Sequence, residues 1–245
     1  MVAIVSGDSL GLSNTSAAVL GQNGLIGQGA NGATNQQAIV NASNGNLVLQ
    51  SDDDTLEGRG LDINSVLTYN SQGVSNEGNG VAWSMGMIKQ VGSLTGTVNT
   101  AGSTVTRTDG DGSQVVYSYN AAGNDYVGRE GAGADDTLSY NASTKQWTWT
   151  EGSSGDTETY GKNGLIVSAA DPNGNKLSYT YNAAGLLTKI TDANGDSTNY
   201  RYNSANMLVQ ISDIVSGQTI SRIYYQYDSL NRLVNATVVL RRAEN

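Results

Sequence analysis

Paired tyrosines on alternate positions, each pair ending at an amide or an acid, mark out the second half of the chain. Tyr117/Tyr119, Tyr179/Tyr181, Tyr200/Tyr202 and Tyr225/Tyr227 are pairs of this kind, and an i, i+2 spacing puts both rings on one face of a strand. The ladder runs Tyr119-Asn120, Tyr140-Asn141, Tyr160-Gly161, Tyr181-Asn182, Tyr202-Asn203, Tyr227-Asp228, with steps of 21, 20, 21, 21 and 25 residues. Its clearest two units are Tyr179–Asn199 and Tyr200–Ile220. Each unit reads as strand, turn, strand, turn. Asn194-Gly195, and Asn173-Gly174 behind Pro172, predict tight type I′ hairpin turns, in which both central residues take positive φ. Gly185 and Gly164 mark the alternate turn. Leu187 and Ile190 stand three apart, as do Leu208 and Ile211, so in a regular strand they point to opposite faces. That predicts a sheet covered on both sides or a curled one.

Other segments fit the same all-β pattern. Residues 81–90 read as a strand with Trp83, Met85 and Met87 on one face. Residues 145–150 read as another, with Trp147 and Trp149 in place of a tyrosine pair. An earlier rung at Tyr69 lies 50 residues before Tyr119, so the repeat is degenerate there. Gly, Asn and Thr interrupt every candidate amphipathic helix, and these are poor interior helix residues. The chain divides into residues 1–38, an arm able to augment a sheet; residues 39–110, degenerate hairpins opening the repeat region; and residues 111–245, the regular repeats.

Composition narrows the chemistry. Gly, Asn, Ser and Thr make up 105 of 245 residues, which suits a hairpin protein with two turns per unit. The chain has no His, no Cys, no Phe and one Pro. A Ser-His-Asp triad, a thiolate nucleophile and the usual zinc ligand sets are therefore excluded. A net charge of -9 argues against a nucleic-acid face, because phosphate neutralisation needs clustered Lys and Arg. No apolar run reaches the ~20 residues of a membrane-spanning helix.

The unit carried by Tyr179, Tyr181, Asn182, Gly185, Leu187, Ile190, Asp192 and Gly195 resembles the YD repeat of bacterial Rhs proteins. Val40–Gly73 resembles the start of the repeat region in large members of that family. The resemblance covers residues 38–240. It implies tandem hairpins that coil into a continuous spiral sheet. In toxin complexes and polymorphic toxins such a sheet forms a hollow shell around a toxin segment, and teneurins use one in cell adhesion. The family's self-cleaving C-terminal motif has no match; Asp171-Pro172-Asn173-Gly174-Asn175 sits inside a unit as a turn. With about seven rungs, the sheet is expected to be open rather than a closed cocoon.

Four acidic clusters are candidate sites. Asp52-Asp53-Asp54 with Glu57, Asp109-Gly110-Asp111, Asp135-Asp136 and Asp192-Ala193-Asn194-Gly195-Asp196 offer oxygen ligands for Ca²⁺, or are solvated turns, which Asp and Asn favour. The turn reading is preferred, and no metal or cofactor is expected. Asp52–Asp54, Glu57 and Asp62 are the densest carboxylates for glycoside hydrolysis, but no spacing specifies that geometry. Tyr and Trp rings offer either a sugar-stacking platform or cross-strand packing; the period favours packing. Arg241 and Arg242 read as a solvated terminus.

The function expected is structural and non-enzymatic, with no catalytic residues. The positions expected to matter are the repeat residues: Tyr119, Tyr140, Tyr160, Tyr179, Tyr181, Gly185, Leu187, Ile190, Asp192, Gly195, Tyr200, Tyr202 and Tyr227, with Trp147 and Trp149. Open sheet edges template pairing, so a homo-oligomer or polymer is expected, as an extracellular or cell-surface filament or multi-chain shell. Two alternatives stand beside it. One is the N-terminal shell segment of a larger Rhs toxin, partnered by further shell segments or toxin cargo. The other is a surface adhesin binding glycans through Tyr and Trp faces.

Overall fold

The computed structural model describes residues 2–5, 36–41, 46–71, 83–112, 114–128 and 135–240. Among these there are strands and turns and no helix. The smaller sheet holds β1 (Val2–Val5), β2 (Gln36–Asn41), β3 (Leu47–Leu56), β4 (Ile63–Asn70) and β5 (Trp83–Met85), in that order. β1 pairs with β2 in parallel; the other pairings are antiparallel. Most of the N-terminal arm lies outside the described residues.

The larger sheet is a 14-stranded antiparallel meander in strict chain order. It comprises β6 (Gln90–Thr95), β7 (Thr104–Thr108), β8 (Gln114–Asn120), β9 (Asp125–Gly128), β10 (Thr137–Asn141), β11 (Gln146–Thr150) and β12 (Thr157–Tyr160). It continues through β13 (Ile166–Ala170), β14 (Lys176–Tyr181), β15 (Leu187–Thr191), β16 (Ser197–Tyr202), β17 (Leu208–Val215), β18 (Gln218–Tyr227) and β19 (Leu233–Leu240). The sheet curls, and its first strand returns to a later turn. The Val91 N–H donates to Gly164 O at 2.9 Å, and Gln90 bridges Leu165. Its two end strands, β6 and β19, do not pair with each other, so the coil stays open.

Residues 81–90 are not one strand. β5 ends at Met85, a turn follows at Gly86 and Met87, and β6 starts at Gln90. The break separates the two sheets, so the Trp83/Met85/Met87 alternation does not run through.

One face of the curled sheet is filled. Leu56, Ile63, Leu67 and Met85 from the smaller sheet join a single core with the larger sheet's Tyr117, Ile166, Ile190 and Ile223. Each fully buried Leu or Ile of this kind stabilises by ~1.5–3 kcal/mol. Strand β18 shows the alternation clearly: Ser221, Ile223 and Tyr225 are buried, and Arg222, Tyr224 and Gln226 exposed.

Leu187 and Ile190 do not point to opposite faces. Both are buried in that one core, at 1% and 0% exposure. A β-bulge reconciles them: Tyr179 pairs with Ile190, Thr180 with Lys189, and Tyr181 with Leu187, which leaves Thr188 as an extra residue. Leu208 and Ile211 are reconciled the same way opposite Tyr202 and Tyr200. The shift recurs at Thr159/Tyr160 and at Gln226/Tyr227. An extra residue bends the strand and increases its twist, so the repeated bulge supplies the curl.

Candidate functional site

The Tyr-Asx turns share one construction. Asn182 N–H donates to Leu186 O at 2.9 Å and Gly185 N–H to Asn182 O at 3.0 Å, while Asn182 Oδ1 accepts from the N–H groups of Ala184 and Leu186. Asp171, Asp192, Asn203 and Asp228 cap their turns in the same way. The fourth residue takes positive φ: Gly195 at 92°, with Asn206 and Asn231 filling that place later. These are three-residue loops closed by a left-handed residue, not the two-residue type I′ turns expected at Asn194-Gly195, since Asn194 is not at positive φ. The pattern of two consecutive positive-φ residues occurs instead at Ser216-Gly217, in a two-residue loop between Val215 and Gln218.

The tyrosine hydroxyls have work that Phe could not do. Tyr181 Oη donates to Ile166 O and Tyr227 Oη to Leu208 O, both at 2.8 Å. In each case the carbonyl belongs to the residue opposite the bulged tyrosine one or more units earlier. Tyr126 Oη accepts from Asn99 N at 2.7 Å, and Tyr117 Oη accepts from Trp149 Nε1 at 2.9 Å. Of the other expected repeat positions, Tyr160, Tyr179 and Tyr200 are buried and Tyr119, Tyr140 and Tyr202 half-buried. Trp147 and Trp149 are only 8% and 7% exposed. Trp147 packs on Tyr126 and Tyr140 with ring centroids 5.2 and 4.8 Å apart. Their rings are core, so they offer no exposed platform for a sugar.

Where the smaller sheet lies over the larger one, a cavity of about 380 Å³ opens. Asn64, Val66 and Thr68 of β4 form one wall, and Leu177 and Tyr179 of β14 part of the other. Its floor is a charge network. Arg107 Nη2 donates to Glu158 Oε2 at 2.8 Å, Arg107 Nη1 to Asp109 Oδ2 at 3.2 Å, and Lys89 Nζ to Glu158 Oε1 at 2.5 Å. Tyr160 Oη donates to Glu158 and accepts from Arg107 Nε at 2.9 Å. The Arg107 guanidinium also lies 4.0 Å from the Trp149 ring centroid, within cation–π range.

Burial works against ionising Asp109 and Glu158, yet Lys89 and Arg107 more than offset it and hold both carboxyls below their usual range. Neither therefore keeps a proton to donate at neutral pH, as a general acid would. Among the described residues, no group of three or more acidic side chains is placed to hold a metal ion. This ionic floor was not visible in the sequence, because its members lie 51 and 69 residues apart. Arg107, a cation inside the alternating strand Thr104–Thr108, was the one local sign.

Asp52, Asp53 and Asp54 are not a solvated turn. They lie within β3, where Asp52 pairs with Val66 and Asp54 with Ser65, so Asp53 is bulged out. Asp53 Oδ2 accepts from Tyr225 Oη at 2.9 Å, across 172 residues of sequence. Glu57 and Asp62 lie beyond this strand; Asp62 Oδ1 accepts from Gly58 N and lines the cavity.

The family model described as RHS Repeat matches residues 160–197 and 181–219. Residues 160–219 thus carry the RHS repeat. The two RHS windows start 21 residues apart, one ladder step, and together run from the end of β12 into β18. A solved structure of the Photorhabdus luminescens Tc holotoxin pore is similar at 15% identity and a TM-score of 0.33, over 78% of this chain and 10% of that one. The chain thus spans about a tenth of that solved chain. No curated protein matches it. Within the RHS windows fall the bulged Tyr160, Tyr181 and Tyr202, the turns capped by Asp171, Asn182, Asp192 and Asn203, and Leu177 and Tyr179 of the cavity wall.

Proposed function

We propose that this RHS-repeat chain is a non-catalytic structural protein, a length of curled wall that extends by adding a strand at β19. The observation that carries this reading is the state of that last strand. Val238 pairs with the buried Ile223 and Ala236 with the buried Tyr225, so both stand on the core side of the sheet. Yet Val238 is 44% exposed, and Val234 and Val239 are also uncovered. Such a strand is both an open edge and an unfinished core. A repeat unit buries its face only by stacking on a neighbour.

In this proposal the added strand comes from a second copy, giving a filament or multi-chain shell outside the cell or at its surface. A further shell segment of a longer polypeptide is the second reading, and the same uncovered valines favour it. No helix among the described residues is long and apolar enough to cross a membrane. Light scattering of the full chain across concentration, with negative-stain microscopy, tests the first reading. Association that Val238→Lys abolishes supports it; a monomer at every concentration refutes it.

A further inference from the structure

The ladder step from Tyr202 to Tyr227 is 25 residues instead of 21, and the four added residues change what one acid does. Asp171, Asp192 and Asp213 recur at intervals of 21. The first two cap their turns, accepting backbone N–H groups at 2.8–2.9 Å. At Asp213 the strand runs on, because the turn is displaced to Ser216-Gly217. Asp213 is thereby drawn into the interior, at 2% exposure. Its Oδ1 accepts from Thr198 Oγ1 at 2.6 Å and its Oδ2 from Ser221 Oγ at 2.9 Å.

Opposite it stands the smaller sheet's acidic bulge. The Asp54 carboxyl lies against that of Asp213, and two carboxylates can hydrogen-bond to each other only around a proton. Consistent with this, Asp54 Oδ2 is buried and no donor nitrogen or hydroxyl reaches it. The ionisable groups around the pair are Asp52 and Asp53 on β3, Tyr200 and Tyr202 on β16, and Tyr225 and Tyr227 on β18. No ion pair among the described residues reaches any of these four acids.

We propose that Asp54 and Asp213 form a proton-operated latch between the two sheets: a shared proton locks the β3 bulge onto β16–β18, and its release loosens the smaller sheet. Burial pushes the Asp213 carboxyl up to about 6, against the Thr198 and Ser221 hydroxyls and with the help of Asp54. Burial likewise raises Asp53, against its bonds from Ser51 and Tyr225 and with the help of Asp52 and Asp54. A carboxyl raised in the fold stabilises while protonated. The latch is therefore closed below about pH 6 and open above it.

Hydrogen exchange of the full chain from pH 4.5 to 8, corrected for intrinsic exchange rates, tests this. Protection of the β3 amides should fall about tenfold or more as pH rises through the midpoint, since two units of raised pKa correspond to at most about a hundredfold. The β10–β11 amides should not follow. Asp213→Asn, which keeps an oxygen for Thr198 and offers Asp54 a permanent donor, should remove the pH dependence. Asp54→Asn should do the same and serves if the first variant does not fold. A flat wild-type profile, or a variant that keeps the wild-type midpoint, overturns the proposal.

Discussion

Removing the Arg107 guanidinium should cost more than any surface substitution in this protein. In Arg107→Met the stem is roughly kept, but Glu158 loses the donors at Nε and Nη2, Tyr160 loses one, and Asp109 loses Nη1. Lys89 alone then faces two acids, Asp109 at 3.5 Å and Glu158 at 2.5 Å. Arg107 and Glu158 are 4% and 5% exposed at their side chains, so solvent does not take over the lost contacts. Breaking a buried pair from one side costs ~3–5 kcal/mol, because a desolvated charge is left behind. The whole stability of a domain is about 5–15 kcal/mol. With a urea m-value of ~2 kcal/mol/M, the midpoint should drop by roughly 1.5–2.5 M. Equilibrium urea unfolding followed by tryptophan fluorescence reads this, since Trp149 lies against Arg107. The double variant Arg107→Met/Glu158→Met should recover much of the loss, because it leaves the Lys89–Asp109 pair intact and no orphan charge. A midpoint drop under about 0.5 M in the single variant, or a double variant at the sum of its two singles, would refute the reasoning.

Three further outcomes are expected. Stability should peak on the acid side of neutrality. Asp109 and Glu158 are held low, so their contribution is present above the ordinary carboxyl range and lost as pH falls below about 4.5. Asp213 is raised to about 6, so its contribution is present in acid and lost as pH climbs from about 4 to 6. Thermal melts from pH 3 to 8 check this, and a stability that only rises through that range would contradict it. Gly164→Ala should destabilise far more than Gly195→Ala. Both glycines have positive φ, which costs an alanine ~1–2 kcal/mol, but a Cβ at Gly164 would sit 2.1 Å from Val91 O while Gly195 faces open space. Melting temperatures that fall equally would show that the Gly164–Val91 contact contributes nothing. Tyr181→Phe should cost ~1 kcal/mol by leaving Ile166 O without its hydroxyl donor, and an unchanged urea midpoint would rule that bond out as stabilising.

The repeat was legible because its signal is covalent: a tyrosine pair, an Asx cap and a left-handed Gly or Asn recur at fixed offsets. The face assignment of Leu187 and Ile190 was not, because strict alternation fails wherever a bulge inserts a residue. Thr188 carries no mark of being the extra one. Asn194-Gly195 announced a turn correctly but not its length, since the cap that sets three residues rather than two is the side chain of Asp192. The acidic run Asp52–Asp54 reads as a solvated loop because half-burying Asp53 and Asp54 makes sense only beside Tyr225 and Asp213, more than 150 residues away. The lengthened step between Tyr202 and Tyr227 was visible in the spacing. It marks the unit that reaches the smaller sheet through Asp213 and Tyr225.

The bulge opposite Tyr160, Tyr181, Tyr202 and Tyr227 has a consequence for how such a chain can change length. It adds one residue to one strand and none to its partner, at the same place in successive units. The offsets therefore accumulate instead of cancelling. Curvature becomes a property of the unit, as pitch is a property of a spring. A gene that gains or loses whole 20–21-residue units alters how far the coil travels and leaves its radius alone. Insertions of a fraction of a unit cannot be spread along the coil and must be taken up by the arms of one hairpin, as in β17 and β18.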